Sequence, residues 1–198
     1  MGLSRYRNII LVVTASLALL VASPSIQQLL VYPQSENLTE FWMLGPNHDT
    51  TYPSNVTSDQ TFRIYLGVTN HLELAAYYNV EIKFRNQTQS SPDSFNKTSS
   101  DLSALTSIAI AAAKNSTSEV PLEISFQYHT DNQTDTLYME TVTVNGFAQD
   151  ASNTTIMWDE AKGGFLGNLV FELYINNSTT NSLQYHQRYL SLWFKMIP

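Results

Sequence analysis

The chain contains no cysteine. That excludes disulfides, a thiol nucleophile and any metal centre ligated through cysteine. It does not exclude a site outside the cytoplasm, because a domain of more than roughly 150 residues buries enough surface to stand without cross-links. Charge is scarce as well: Asp, Glu, Lys and Arg make up 14% of the 198 residues, against about a quarter in an ordinary soluble domain. Asn, Ser and Thr take the place of the missing charge. Basic residues are the scarcest. With Arg5 and Arg7 at the extreme N-terminus set aside, 8 basic side chains stand against 17 acidic ones, a formal −9. A surface of that sign lacks the basic face that nucleic acid requires, so no nucleic-acid partner is expected. It would also be repelled by an anionic membrane surface.

Only one long apolar run is present. Ile9 to Ala22 carries no charge and follows Arg5 and Arg7. Its 14 residues alone match the core of a signal peptide. Apolar character resumes after Ser23-Pro24-Ser25 at Ile26 and Leu29-Leu30-Val31. Counted from Ile9 to Val31, the stretch is 23 residues, about 34 Å as a helix and enough to cross a bilayer. Pro24, Gln27 and Gln28 weigh against a span, and Leu20 weighs against processing after Ala22. Basic flanks stay inside. The expected organisation is therefore a cytoplasmic N-terminus at 1–8, a transmembrane signal-anchor helix at 9–31, a link at 32–37 and a folded extracytoplasmic domain at 38–198. That organisation is the one expected of a single-pass protein of the cell membrane, partnered with the membrane through its N-terminal helix.

Asn-x-Ser/Thr triplets begin at Asn37, Asn55, Asn86, Asn96, Asn115, Asn132, Asn153, Asn176 and Asn177. Nine is an excess over the roughly three that chance placement gives, and most fall where the strand pattern breaks, as acceptors in surface loops should. Asn176 overlaps Asn177, and Asn37 lies close to the expected span. The expected glycosylation sites are Asn55, Asn86, Asn96, Asn115, Asn132, Asn153 and Asn177.

Beyond Val31 the recurring signal is alternation, the period of a half-buried strand. Phe62, Ile64, Leu66 and Val68 share a face; so do Tyr78, Val80, Ile82 and Phe84. The pattern returns in Leu122 to Tyr128, in Tyr138, Val142 and Val144, in Leu169 to Ile175, and in Leu190 to Met196; a further strand at Leu38 to Leu44 opens the domain. Seven runs separated by polar turns predict a mainly β fold, an immunoglobulin-like antiparallel β-sandwich preceded by one transmembrane helix. Asp101 to Lys114, where Ala and Leu recur without alternation, reads as a short helix capped by Ser100 or Asp101, or as an edge strand around Ile108-Ala109-Ile110. Trp158 to Gly167 reads as a loop or helical turn.

No catalytic, cofactor-binding or metal-binding set emerges. His48, His71, His129 and His186 show no metal-ligand spacing. Asp131, Asn132 and Asp135 read as a hairpin turn, since the glycine and distal glutamate of an EF-hand loop are missing. Gly163-Gly164-Phe165-Leu166-Gly167 lacks the Gly-Lys-Ser/Thr ending of a phosphate loop. No Gly-x-Ser-x-Gly or His-Glu-x-x-His is present. Glu40, Glu172 and Arg188 each interrupt an apolar strand; pairing across strands or pointing to solvent accounts for them more simply than a ligand site. Phe41, Trp42, Trp158 and Trp193 could stack on sugars, though core and collar positions are the commoner use of such residues.

Thr39-Glu40-Phe41-Trp42-Met43-Leu44-Gly45-Pro46 resembles a run in the archaeal membrane proteins of domain-of-unknown-function family 1616, where it follows a membrane helix and a short Pro-containing link. Here the link is Tyr32-Pro33-Gln34-Ser35-Glu36. Tyr52-Pro53-Ser54-Asn55-Val56-Thr57, Gly67-Val68-Thr69-Asn70-His71, Gly167 to Leu173 and Arg188 to Trp193 carry the likeness onward, over roughly residues 33 to 196. Longer members have several membrane helices before this domain. The resemblance implies an uncleaved helix and an archaeal cell envelope, and supplies no mechanism. The resulting expectation is not an enzyme but an N-glycosylated protein-interaction or structural module. Its partners would be envelope or membrane proteins, and Glu40, Phe41, Trp42 and Met43 form a possible interface. The competing expectation is an accessory subunit of an envelope enzyme complex for glycan or surface-polymer assembly.

Overall fold

The computed structural model describes residues 6–7, 9, 11–14, 16–17, 38–93, 95–131, 133–177 and 182–198, in two units, 1–36 and 37–198. In the first unit residues 11–14 and 16–17 are helical. No helix among the described residues is long and apolar enough to cross a membrane. Most of the expected span at 9–31 lies outside the described residues, as does the link at 32–37.

The second unit is mainly β. Its strands are β1 Thr39–Leu44, β2 Asn55–Thr57, β3 Phe62–Asn70, β4 Ala76–Arg85, β5 Ala104–Ala112 and β6 Ser116–Asp131. They continue as β7 Thr136–Val144, β8 Phe147–Asp150, β9 Thr155–Asp159, β10 Gly164–Asn177 and β11 Ser182–Ile197. One layer runs β1-β3-β6-β7, with β8 on β7; the other runs β5-β4-β10-β11-β2. The seven runs read from alternation are all strands. Two features depart from a plain antiparallel sandwich. β9 pairs with β7 at Leu137↔Ile156 and with β10 at Phe165↔Trp158, which joins the layers into one curled sheet. β2 pairs with β11 in parallel, Lys195↔Asn55 to Ile197↔Thr57.

The layers meet through the apolar faces that the alternation marked. Phe126 of β6 is fully buried and sits against Phe84 of β4 and Phe194 of β11, at ring separations of 5.8 and 5.0 Å, and against Phe62 of its own layer at 5.9 Å. Ile64, Leu66, Val68, Val80, Ile82, Leu122, Ile124, Leu169, Phe171 and Leu173 complete this core. Each such side chain contributes about 1.5–3 kcal/mol through burial.

Asp101 to Lys114 is not a helix: Ala104 to Ala112 pairs along β4 from Lys83↔Ala104 to Ala76↔Ala112. Alanine favours helices in isolation, but the free side of β4 supplies ladder hydrogen bonds, and Thr106, Ile108 and Ile110 suit the pleated surface. Trp158 to Gly167 is likewise not a loop throughout. It holds the end of β9, a turn with Gly163 at φ 63°, and the start of β10. Asp131 to Asp135 belongs to the β6–β7 hairpin connection, with Asp135 at φ 46°.

Candidate functional site

β1 is an edge strand, and its alternation splits the four residues of the expected interface between two faces. Phe41 and Met43 pack against the core. Glu40 and Trp42 lie on the outer face. There Glu40 Oε1 is 3.2 Å from His71 Nε2, and the Trp42 indole crosses Gly67 with Nε1 donating to Thr69 Oγ1 at 3.4 Å. Glu40, Phe41, Trp42 and Met43 therefore do not form one continuous patch. At the start of the strand, the buried Thr39 hydroxyl is 3.0 Å from the Tyr78 hydroxyl, which donates to Asn70 Oδ1 at 3.3 Å. Asn70, wholly buried, donates to the carbonyls of Leu74 and Ala112. Every polar atom in this set answers a main-chain or side-chain neighbour, so the network fixes β1 to β3, β4 and β5.

Phe41 meets β11 across a groove. The cleft, about 480 Å³, is lined by Phe41, Gln187, Arg188, Tyr189, Leu190 and Ser191. β11 is irregular at this place. Leu173 faces Arg188 and Tyr174 faces Tyr185, which leaves His186 and Gln187 as a bulge with Gln187 at φ 58°. Bulges re-aim side chains and end regular pairing. His186 sits 6.0 Å from the Tyr78 ring; burial first, and the charge of Arg188 second, hold its pKa below the usual imidazole value. Among the described residues Arg188 forms no ion pair with a carboxylate. The sequence marks Phe41 and Arg188 for separate reasons, and the fold brings them together.

Glu172 pairs across strands, as expected of a charge in an apolar run, but it is also completely buried. Val80, Ile82 and Phe84 face the core, so Glu81, Lys83 and Arg85 fall on the outer face of the second layer, beside Glu172 of β10. The Lys83 ammonium donates to Glu172 Oε2 at 2.9 Å and lies 3.2 Å from Glu81 Oε2. Ser100 donates its backbone N–H and its hydroxyl to Glu172 Oε1, and the Tyr174 hydroxyl donates to Oε2. Burial pushes the Glu172 carboxyl up, but the donors from Ser100, Lys83 and Tyr174 outweigh it and leave the pKa below the usual carboxylate value. Burial raises the Tyr185 phenol to about 12, with Glu172 adding to the effect. Lys83 escaped the sequence reading because its cover comes from the β4–β5 connection, which places Ser100 over the outer face. Each Glu172 oxygen accepts two hydrogen bonds, so the cluster holds that connection down rather than offering a reactive group.

The aromatic residues share no platform. Trp42 lies on the outer face of the first layer and Trp193 on that of the second, where Arg85 stands 4.9 Å above its ring. Trp158 meets Phe165 edge-on at 5.2 Å. His48, His71 and His129 each pair with a separate glutamate, Glu119, Glu40 and Glu140. No group of three or more metal-binding side chains occurs among the described residues. Asp131 caps its own turn, accepting from Gln133 N–H and the Thr134 hydroxyl at 2.9 and 3.0 Å.

Of the expected acceptors, Asn55, Asn96, Asn115 and Asn153 are exposed. Asn115 takes φ 54° in the β5–β6 turn. Asn86 is half-buried and occupied: Nδ2 donates to the Thr155 carbonyl at 2.9 Å, and Oδ1 accepts from the Thr88 and Gln89 amides. Asn177 ends β10, opposite Ser182. Asn37 and Asn132 lie outside the described residues.

A family model described as "Domain of unknown function (DUF1616)" matches residues 33–159. No curated protein matches the chain. Among solved structures, the CARDB domain of a Pyrococcus furiosus protein, in complex with di-metal ions, is 6% identical, with 84% of this chain and 98% of that one covered and a TM-score of 0.38. A β-glucosidase from Listeria innocua in complex with glucose is 8% identical at a TM-score of 0.36; 80% of this chain is covered and only 16% of the glucosidase. A PapD-like domain of human CEP192 is 10% identical, with 84% and 89% covered and a TM-score of 0.28.

Proposed function

We propose a reading whose premise is membership: the chain belongs to the DUF1616 family, and its mainly β domain is a membrane-tethered, N-glycosylated contact module of the archaeal cell envelope. In this reading residues 9–31 anchor the chain, the domain with its immunoglobulin-like arrangement of strands lies outside the cell, and it works by contact without catalysing a reaction. The observation that carries the reading is the groove between Phe41 of β1 and the bulged β11. It sits at an open side of the sheet, holds a cation without an acidic partner among the described residues, and includes the edge strand that follows the expected link after one residue. The apolar run behind Arg5 and Arg7 and the excess of Asn-x-Ser/Thr triplets support the compartment.

Two experiments test it. Protease added to intact cells should digest 38–198 and spare the N-terminus; protection of a C-terminal epitope would rule out the topology. Crosslinking in native membranes, followed by identification of the attached proteins, should recover envelope or membrane proteins, and recovery should fall for variants in the groove. The competing reading, an accessory subunit of an envelope enzyme complex, draws on the same placement of Arg188. It predicts that the crosslinked partner is an enzyme whose turnover drops with Arg188→Ala while the complex stays assembled.

A further inference from the structure

The groove beside Phe41 follows a stretch of β11 that has a neighbour on one side only. β10 pairs with β11 along its length. On the opposite side β2 takes up the last residues, from Lys195 to Ile197, and the Lys195 amide donates to the Ser54 carbonyl. Toward the other end, the bulge at His186 and Gln187 interrupts the strand. Between these limits, Arg188 to Phe194 present a row of N–H and C=O groups that no described strand pairs with. Seven residues at about 3.3 Å each give a slot of about 23 Å. Another main chain matches such a row, since its own donors and acceptors repeat at the same spacing. β2 already uses this edge in that way, and an added strand would lie in line with it.

Charge selects the kind of chain. The last acidic residue is Glu172, and the 26 residues after it carry Arg188 and Lys195 with no carboxylate, on a protein of net charge −7. Lys195 donates to the Gly163 carbonyl at 3.0 Å. Elsewhere on this layer Lys83 is neutralised by Glu172, and Arg85 is held by Asn168 and stacked over Trp193. Arg188 is left as the cation of the groove without an acidic partner among the described residues. The other exposed edge of this layer differs. β5 carries no charge that could choose a partner, and Ser118 Oγ already donates to its Ala111 carbonyl at 2.7 Å.

We infer that the Arg188–Phe194 edge of β11 receives an extended polypeptide segment from a partner protein, added as a strand, with a carboxylate of that segment against Arg188 and an apolar side chain against Phe41. The inference rests on the contact-module reading and names its partner class. Main-chain pairing supplies the affinity, and the Arg188 and Phe41 positions supply the choice of sequence.

The test pans the purified full-length chain, and its Arg188→Glu and Arg188→Gln variants, against a displayed library of random dodecapeptides. Selected peptides should carry Asp or Glu at one fixed position and bind Arg188→Gln about tenfold more weakly. Arg188→Glu should instead enrich Lys or Arg at that position. Bound peptide should slow amide exchange within 188–194 and leave 104–112 unchanged. The inference is overturned by a library that yields no binder, by binders without an acidic position, or by slowing at β5 or on the outer faces. If peptides fail while crosslinking still recovers partners, only the strand-addition mode is lost. If crosslinking recovers none, the reading beneath it is lost.

Discussion

Trp42 of β1 crosses directly over Gly67, its register partner on β3; a methyl group at Gly67 would fall 2.0 Å from the indole. The ring covers the bare backbone that the glycine leaves, and the glycine makes room for the ring.

Gly67→Ala should therefore force the indole away and cost about 1–3 kcal/mol, the usual range for overpacking. Trp42→Ala should cost less than the 3–5 kcal/mol of a fully buried tryptophan, since this one is half-buried. The double variant should be more stable than the sum of the two losses predicts, because removing the ring removes the clash. Chemical denaturation of the four proteins decides it. Additive losses would mean that the two residues act separately.

Lys83 and Glu172 should be far more costly to break singly than to replace together. Lys83→Met leaves the buried Glu172 carboxylate without its cation, at about 3–5 kcal/mol, while Glu172→Gln should cost less because Glu81 still stands 3.2 Å from Lys83; Lys83→Met with Glu172→Leu should recover most of the Lys83→Met loss. The folded-state pKa of Glu172 is lowered. Its contribution to stability is thus present above the unfolded value, near 4.3, and is lost as pH falls through the folded value. A denaturation series from pH 6 downward should show wild-type stability dropping below about pH 4.3, with a shallower slope in Glu172→Gln.

Glycopeptide mass spectrometry of native protein should find modification at Asn55, Asn96, Asn115 and Asn153, whose side chains are exposed. Asn86 should be the least occupied, because its amide nitrogen already serves the Thr155 carbonyl. Full occupancy of Asn86 with the exposed sites bare would contradict the structural ranking.

Much of the architecture was legible because seven of the runs alternate, and alternation survives folding wherever one face meets a core. β5 was ambiguous because its alanines carry no facial preference; the free side of β4 decided it. β9 is five residues long and spends its pairing on two different strands, so no regular pattern announced it. For the groove, the sequence marked Phe41 and Arg188 but gave no reason for them to meet. Their proximity follows from β1 and β11 bordering the same open side, which only the strand order establishes. Lys83 was missed for a related reason: nothing in Val80-Glu81-Ile82-Lys83-Phe84 says that Ser100 will close over its outer face.

β9 also bears on how the domain comes apart. Its residues are shared, with Ile156 beside Leu137 in one layer and Trp158 beside Phe165 in the other. Parting the layers exposes pairing groups in both, so β9 opposes the melting of half of the body while the other half stays whole. Slow amide protons on β7 and β10 should then exchange through the same opening, at the free energy of global unfolding. A domain that presents unpaired edges to its surroundings is thereby kept from presenting more of them by partial opening.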